Sequence, residues 1–298
     1  MASLKEIKSK ISGVKKTKQI TRAMNMVAAS KLRGAQQAMD AFRPYAEKFA
    51  EVLGNIADKA ADETSPLLIP KEETKNVHVI MLTSDRGLCG GFNTNIMDKA
   101  EEFIENLQSR EITVSLTNFG KKGRNWARKE KLTIVDEYLD VVGGKFAFNI
   151  ASSVGQKLIE GFLFGDYDEV HIVYPEFRSM ANQIPVIKQL LPIVSIEKPE
   201  ESETEATESR YMPEHICEPS ADALLNTMLP KSIYIQIYHA LLETSTSEHA
   251  ARMRATDNAT KACDDMIESL TLTFNKARQQ TITMELMDIV GGAEALRG

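Results

Sequence analysis

The sequence predicts an α/β chain in which a long antiparallel coiled coil of N- and C-terminal helices carries an inserted Rossmann-like α/β domain. Three observations lead there. A heptad repeat opens the chain, a helical stripe of small and apolar residues closes it, and the stretch between them alternates short β-branched runs with amphipathic segments.

The opening repeat sets Leu4, Ile11, Lys18, Asn25, Leu32, Met39, Ala46 and Leu53 at heptad position a. Ile7, Val14, Thr21, Ala28, Ala35, Phe42, Phe49 and Ile56 fall at d. Only Lys18, Thr21 and Asn25 are polar in this register, so the pattern predicts a helix that supercoils with a partner. Ser3 with Glu6 three residues on reads as a capping box, which starts the helix at Ser3. It is expected to run to about Ala61 and to bend near Arg43, because Pro44 removes a backbone donor.

Between 77 and 194 the period changes. Val77 to Thr83, Ile112 to Phe119, Lys131 to Tyr138 and Asp168 to Phe177 read as strands. Helical segments from Asn93 to Leu107, Lys121 to Arg128 and Phe146 to Phe164 separate them, which implies a mainly parallel sheet covered by helices. Gln183 to Ile193 fits an edge strand, since Pro185 and Pro192 cannot donate to a ladder.

The segment 195–218 is acidic and has little to bury, so it reads as a surface loop. The closing helix, within 219–298, is expected to start near Pro219 and to kink or break just before Lys231, at Pro230. From Ser247 no proline or glycine appears until Gly291. The stripe there runs Arg252, Thr256, Ala259, Cys263, Ile267, Leu270, Phe274, Ala277, Thr281 and Met284. A helix of about 45 residues spans roughly 65 Å and needs a partner along its length, which the first helix supplies.

Charge and composition exclude several classes. The net charge of -6 hides nine Lys or Arg against the single acid Glu6 between Lys5 and Arg33. That basic helix has no interleaved aromatics and no nucleic-acid reader motif. No run of about eighteen apolar residues exists, and the charged start has no apolar core of a secretory leader, so neither membrane insertion nor a leader is expected. Cys89, Cys217 and Cys263 are far apart and give neither a disulfide framework nor zinc spacing.

Ser84 to Asn93 follows the first strand, where doubly wound folds bind ligands. Gly87, Gly90 and Gly91 would let backbone cradle a phosphate, but the spacing is neither GxGxxG nor GxxxxGK[ST], and a tight strand-to-helix turn explains them at least as well. The five histidines stand singly, and no pair of acids has spacing suited to acid/base work. No catalytic residue, metal or cofactor is expected.

Four motifs carry a resemblance. ITRAMNMVAASKLRGAQ (Ile20 to Gln36), TSDRGLCGGFN (Thr83 to Asn93), SEHAARMRATDNATKACDDMIESL (Ser247 to Leu270) and FNKARQQTITMELMDIVGGAEAL (Phe274 to Leu296) resemble, in order, the gamma subunits of F-type rotary ATP synthases. The resemblance implies a central rotor shaft, turning inside a hexamer of alpha and beta subunits that holds the catalytic sites. Its foot would stand beside the epsilon subunit and the membrane c-ring, at the cytoplasmic face of the inner membrane. Met24 and Arg252 resemble residues that face acidic loops of the beta subunits. Arg278, Gln279, Thr283 and Glu285 correspond to rotor positions bonded to a beta catch loop. Lys10, Lys15, Lys16, Lys18, Arg22, Lys31 and Arg33 would meet acidic stator loops. Met284, Leu286, Met287, Ile289, Val290 and Leu296 resemble a tip turning in an apolar bearing. For each, internal packing or solvated charge is the plainer alternative, most of all for Met24. Cys217 stands alone, so no thiol switch is expected. The competing reading is an α/β nucleotide-binding protein with a coiled-coil oligomerisation arm.

Overall fold

The structure, a computed structural model, describes residues 3–57, 65–71, 73–144, 146–193 and 220–295. The acidic segment, Cys217, Pro219 and Leu296 lie outside them. The chain forms two compact units, one made of Met1–Ala28 with Arg252–Gly298 and the other of Ala29–Ala251.

The elements run α1 (Leu4–Ala57), β1 (Asn76–Leu82), α2 (Phe92–Gln108), β2 (Thr113–Phe119), α3 (Lys121–Lys129), β3 (Thr133–Tyr138), α4 (Phe148–Phe164), β4 (Glu169–Phe177), β5 (Gln183–Leu191) and α5 (Ala221–Ala295). Every expected strand and helix is present. The capping box forms as read: the Ser3 amide donates to Glu6 Oε2 at 3.1 Å and the Glu6 amide to Ser3 Oγ at 3.3 Å. All sixteen a and d positions of the opening heptads are buried or half-buried, so the repeat marks the covered face of α1 throughout.

In the second unit the sheet order is β3-β2-β1-β4-β5. The first four strands are parallel, and β5 pairs antiparallel with β4 at the edge, where its prolines are tolerated. Alternation along β1 divides the core. Ile80 and Leu82 join one cluster with Leu158 and Phe162 of α4 and Leu225, Leu229 and Ile233 of α5. Val77, Val79 and Met81 join the other with Ile96, Ala100 and Ile104 of α2. A strand buried on both faces reads as an unbroken apolar run, and VHVIML is close to one. Gly155 lets α4 lie against α5, because a Cβ there would meet the Tyr234 ring at 2.3 Å.

Neither proline ends its helix, so the break expected before Lys231 does not occur. α1 is continuous through Pro44, which is exposed, so water can satisfy the carbonyl left without a partner. α5 is likewise unbroken through Pro230. A helix-interior proline costs about 3 kcal/mol, whereas burying each Leu or Ile side chain returns about 1.5–3 kcal/mol. Leu225, Leu229 and Ile233, at 1% exposure or less, straddle Pro230 and outweigh it. The helix opens at Ser220, whose Oγ accepts the Ala223 amide at 3.2 Å.

Candidate functional site

The first unit is an antiparallel pair of helices made by Leu4–Ala28 of α1 and the part of α5 from Arg252 onward. Three contacts fix its register. Asn25 Nδ2 donates to the Met253 carbonyl at 2.7 Å, Thr260 Oγ1 donates to Thr21 Oγ1 at 2.8 Å, and Lys18 forms an ion pair with Asp264. Each step back along α1 matches a step forward along α5, so Leu4 falls opposite about Ala277. Burial agrees: Cys263, Ile267, Leu270, Phe274 and Ala277 are half-buried, and from Arg278 to Ala293 every side chain is exposed.

The expected stripe therefore needs two corrections. Ala259 is exposed and Thr260 takes its place in the seam. Thr281 and Met284 are exposed because α1 has already ended opposite Ala277.

The candidate residues fall into three groups. Lys10, Lys15, Lys16 and Arg22 are exposed on the outer faces of α1. Lys18 is not one of them: it sits at a seam position, and its ammonium is engaged by Asp264. Lys31 and Arg33 are exposed in the second unit, where Lys31 Nζ donates to the Gly143 carbonyl at 3.3 Å. Met24 and Arg252 are half-buried on the first unit's two helices, and Thr256 Oγ1 donates to the Arg252 carbonyl at 2.8 Å. Arg278, Gln279, Thr283 and Glu285 lie exposed on the single helix past Ala277, with the Thr283 hydroxyl donating to the Gln279 carbonyl at 2.9 Å. Met284, Leu286, Met287, Ile289 and Val290 are 57–68% exposed, a run of uncovered apolar side chains.

The glycine-rich turn before α2 takes the plainer of its two readings. Asn93 Oδ1 accepts the Ser84 amide at 2.9 Å, Asn93 Nδ2 donates to Cys89 Sγ at 3.2 Å, and Ser84 Oγ donates to the Arg86 carbonyl at 2.7 Å. The neighbouring helix start is occupied too: Asp85 accepts the Lys121 amide at 3.1 Å and Thr83 Oγ1 the Gly123 amide at 2.8 Å. These bonds tie the turn to its own strand and helix, as a tight strand-to-helix turn requires. Cys89, at 2% exposure, is part of that packing.

Burial pushes His78 down to about 4, so it is neutral, and it bonds Ser115 at 2.7 Å and Thr117 at 2.9 Å. No group of His, Cys, Asp and Glu suited to a metal occurs among the described residues, and none of their helices is long and apolar enough to cross a membrane. The sequence reading missed the buried acids Glu243 and Glu248 of α5, because TSTSEHA around them carries no apolar period that would mark a covered face.

Comparison with known proteins agrees with this architecture. A family model described as ATP synthase matches residues 3–296. The ATP synthase gamma chain of Desulfosudis oleivorans is 64% identical over the whole of both chains, and that of Desulforapulum autotrophicum is 63% identical over 99% of this chain and all of the relative. The chain belongs to the ATP synthase gamma chain family. The rotor of the Euglena gracilis mitochondrial ATP synthase shares the fold, with a TM-score of 0.63 at 20% identity, covering 94% of this chain and 98% of that one. A chain from the central stalk and c-ring structure of the Tetrahymena thermophila mitochondrial enzyme aligns with a TM-score of 0.57 at 23% identity, covering 80% and 99%. Membership in the gamma chain family fits a helix pair with a basic exterior and an uncovered helical end.

Proposed function

We propose that this chain is the central rotor shaft of an F-type ATP synthase. It couples ion-driven rotation of a membrane c-ring to conformational change, and so to ATP synthesis or hydrolysis, in the beta subunits of an alpha and beta hexamer. Through that coupling it regulates ATPase activity and proton flow. The observation that carries this reading is the closed helix pair of the first unit, past which α5 continues as a single helix with apolar side chains uncovered.

In this reading the chain divides into an N-terminal coiled-coil helix at 1–61, a Rossmann-like domain at 77–194, an acidic loop at 195–218 and a C-terminal coiled-coil helix at 219–298. The domain stands beside epsilon and the c-ring, on the cytoplasmic face of the inner membrane and without inserting into it. Met284, Leu286, Met287, Ile289, Val290 and Leu296 turn in an apolar bearing. Arg278, Gln279, Thr283 and Glu285 engage a loop of beta, and Met24 and Arg252 face its acidic segments. Lys10, Lys15, Lys16, Arg22, Lys31 and Arg33 attract acidic stator surfaces through exposed pairs worth about 0–1 kcal/mol each, weak enough to break at every step. Chemistry stays with the beta subunits. The rotor biases each beta site by presenting a different side in each orientation, and it shifts populations only by as much as those contacts differ.

Reconstitution tests this. The chain alone should hydrolyse no ATP and should restore ATPase activity when mixed with alpha and beta subunits. Failure to restore it would refute the reading.

A further inference from the structure

Past Ala277 the last helix moves its apolar side. The half-buried seam residues Cys263, Ile267, Leu270, Phe274 and Ala277 alternate steps of four and three, and the same register carried on lands on Thr281, Met284, Asp288 and Gly291. Most large apolar residues of this end lie elsewhere. Ile282, Leu286, Met287, Ile289 and Val290, 48–68% exposed, share a face turned roughly 140° from the seam, at about 100° of rotation per residue. A longer α1 would not cover that face, so it suits a partner that approaches from another side.

A continuous exposed apolar face of this kind marks an interaction site. Ile282, Leu286 and Ile289 have the i, i+4, i+7 spacing of a helix that packs on another helix. Such a stripe is complementary to itself when turned end for end, and the resulting isologous contact closes about a two-fold axis. Charge selects the antiparallel sense. In the first unit α1 carries Lys10, Lys15, Lys16 and Arg22 exposed and reaches only to about Ala277. Parallel copies would set two such basic helices side by side, whereas antiparallel copies overlap only past Ala277 and point them apart. The overlap buries on the order of 1,000 Å² across both copies, at the low end of specific interfaces.

We propose that the free chain forms a weak antiparallel dimer through this face, a second copy covering Ile282, Leu286 and Ile289. Leu286, Met287, Ile289 and Val290 also belong to the proposed bearing contact, so in that reading dimerisation and assembly exclude one another, and self-pairing covers the apolar end of an unassembled chain. The dimer itself does not rest on the rotor reading. Each can fail while the other stands.

Sedimentation equilibrium of the full chain from about 1 to about 100 µM tests this. A monomer–dimer equilibrium with a dissociation constant on the order of 10 µM is expected. Leu286→Glu and Ile289→Glu should each weaken it at least about tenfold, because each buries an unpaired carboxylate, and deletion of residues 279–298 should abolish it. The replaced side chains are exposed, so these variants keep the fold of the free chain. Asp288→Lys, on the opposite side of the helix, should leave the dimer unchanged. About 0.5 M sodium chloride should not weaken it, since an apolar contact is not screened. In a mixture of Gln279→Cys and Ala293→Cys chains, oxidation should join the two introduced cysteines to each other in preference to either with its own kind. A chain that stays monomeric throughout, a dimer indifferent to the glutamate variants or the deletion, a dimer lost to Asp288→Lys or to salt, cross-links of like with like, or association that continues past two copies would each overturn the proposal.

Discussion

Glu243 tests the electrostatics of the second unit. It lies 9% exposed on α5, its Oε2 has no hydrogen-bond partner among the described residues, and its Oε1 is 3.9 Å from His239 Nε2. Burial first and the charge of Glu176 second raise it from 4.5 to about 7, with Arg43 and Lys188 pulling the other way. Below pH 4.5 the carboxyl is protonated in both folded and unfolded chains, and the folded state bears no cost. Between 4.5 and about 7 the unfolded chain ionises first, so stability falls as pH rises. Above that range the cost is constant at about 3 kcal/mol, the free-energy equivalent of the whole rise.

Glu243→Gln keeps the shape and removes the titration. The variant should be more stable than the parent by up to about 3 kcal/mol near pH 8, and by less than about 1 kcal/mol near pH 5. A buried amide without a partner has its own cost, but that cost is the same at both pH values, so the change in the difference is decisive. Urea unfolding followed by the fluorescence of Trp126, the chain's one tryptophan and packed against the second unit's core, supplies the readout. If the stability difference between variant and parent is the same near pH 5 and near pH 8, or larger near pH 5, the reasoning is refuted.

Two further predictions concern the helix pair. With Cys263 replaced by Ser, Thr21→Cys and Thr260→Cys should oxidise to an intramolecular disulfide, because the two hydroxyls lie 2.8 Å apart; a chain that cross-links only between molecules would contradict the antiparallel pairing. Deleting residues 287–298 should change the melting of the chain by less than about 0.5 kcal/mol, since the described side chains removed are all exposed. In the reconstituted enzyme the same deletion should weaken coupling without abolishing it, and a complete loss of coupling would oppose the rotor reading.

Much of the fold was legible because its signals are periodic. The heptads from Leu4 to Ile56 predicted which side of α1 is covered, and β1 announced its position between two layers by being apolar at nearly every residue. The break expected at Pro230 came from a local rule about a missing donor, weighed without the packing that surrounds it. Pro230 lies between Leu229 and Ile233, both fully buried, and a helix held on both sides of a proline has no cheaper alternative than to continue. Lys18 misled differently. Its heptad position already marked it as a seam residue, yet its charge grouped it with the basic patch, and only the facing Asp264 shows where that charge is used. The setting of Glu243 left no sequence signal, because it arises where α1, β5 and α5 meet across long chain separations.

The composition of the first unit's seam explains how such a helix pair can serve as a moving part. The three polar positions that α1 contributes are each answered across the interface, Lys18 by Asp264, Thr21 by Thr260 and Asn25 by the Met253 carbonyl. Polar seam residues cost stability relative to Leu or Ile and in return favour one register over its neighbours. Closing the seam with groups that bond each other leaves the outer faces free to carry Lys10, Lys15, Lys16 and Arg22. Charges held there, exposed and screened, attract an acidic surface without binding it tightly. A more apolar outer face would hold its partners harder, and a rotor so held would resist leaving each position. The exposed apolar run begins only after Ala277, where no α1 residue remains to cover it, so in the proposed reading the chain separates a region of weak electrostatic contact from one suited to a close apolar fit.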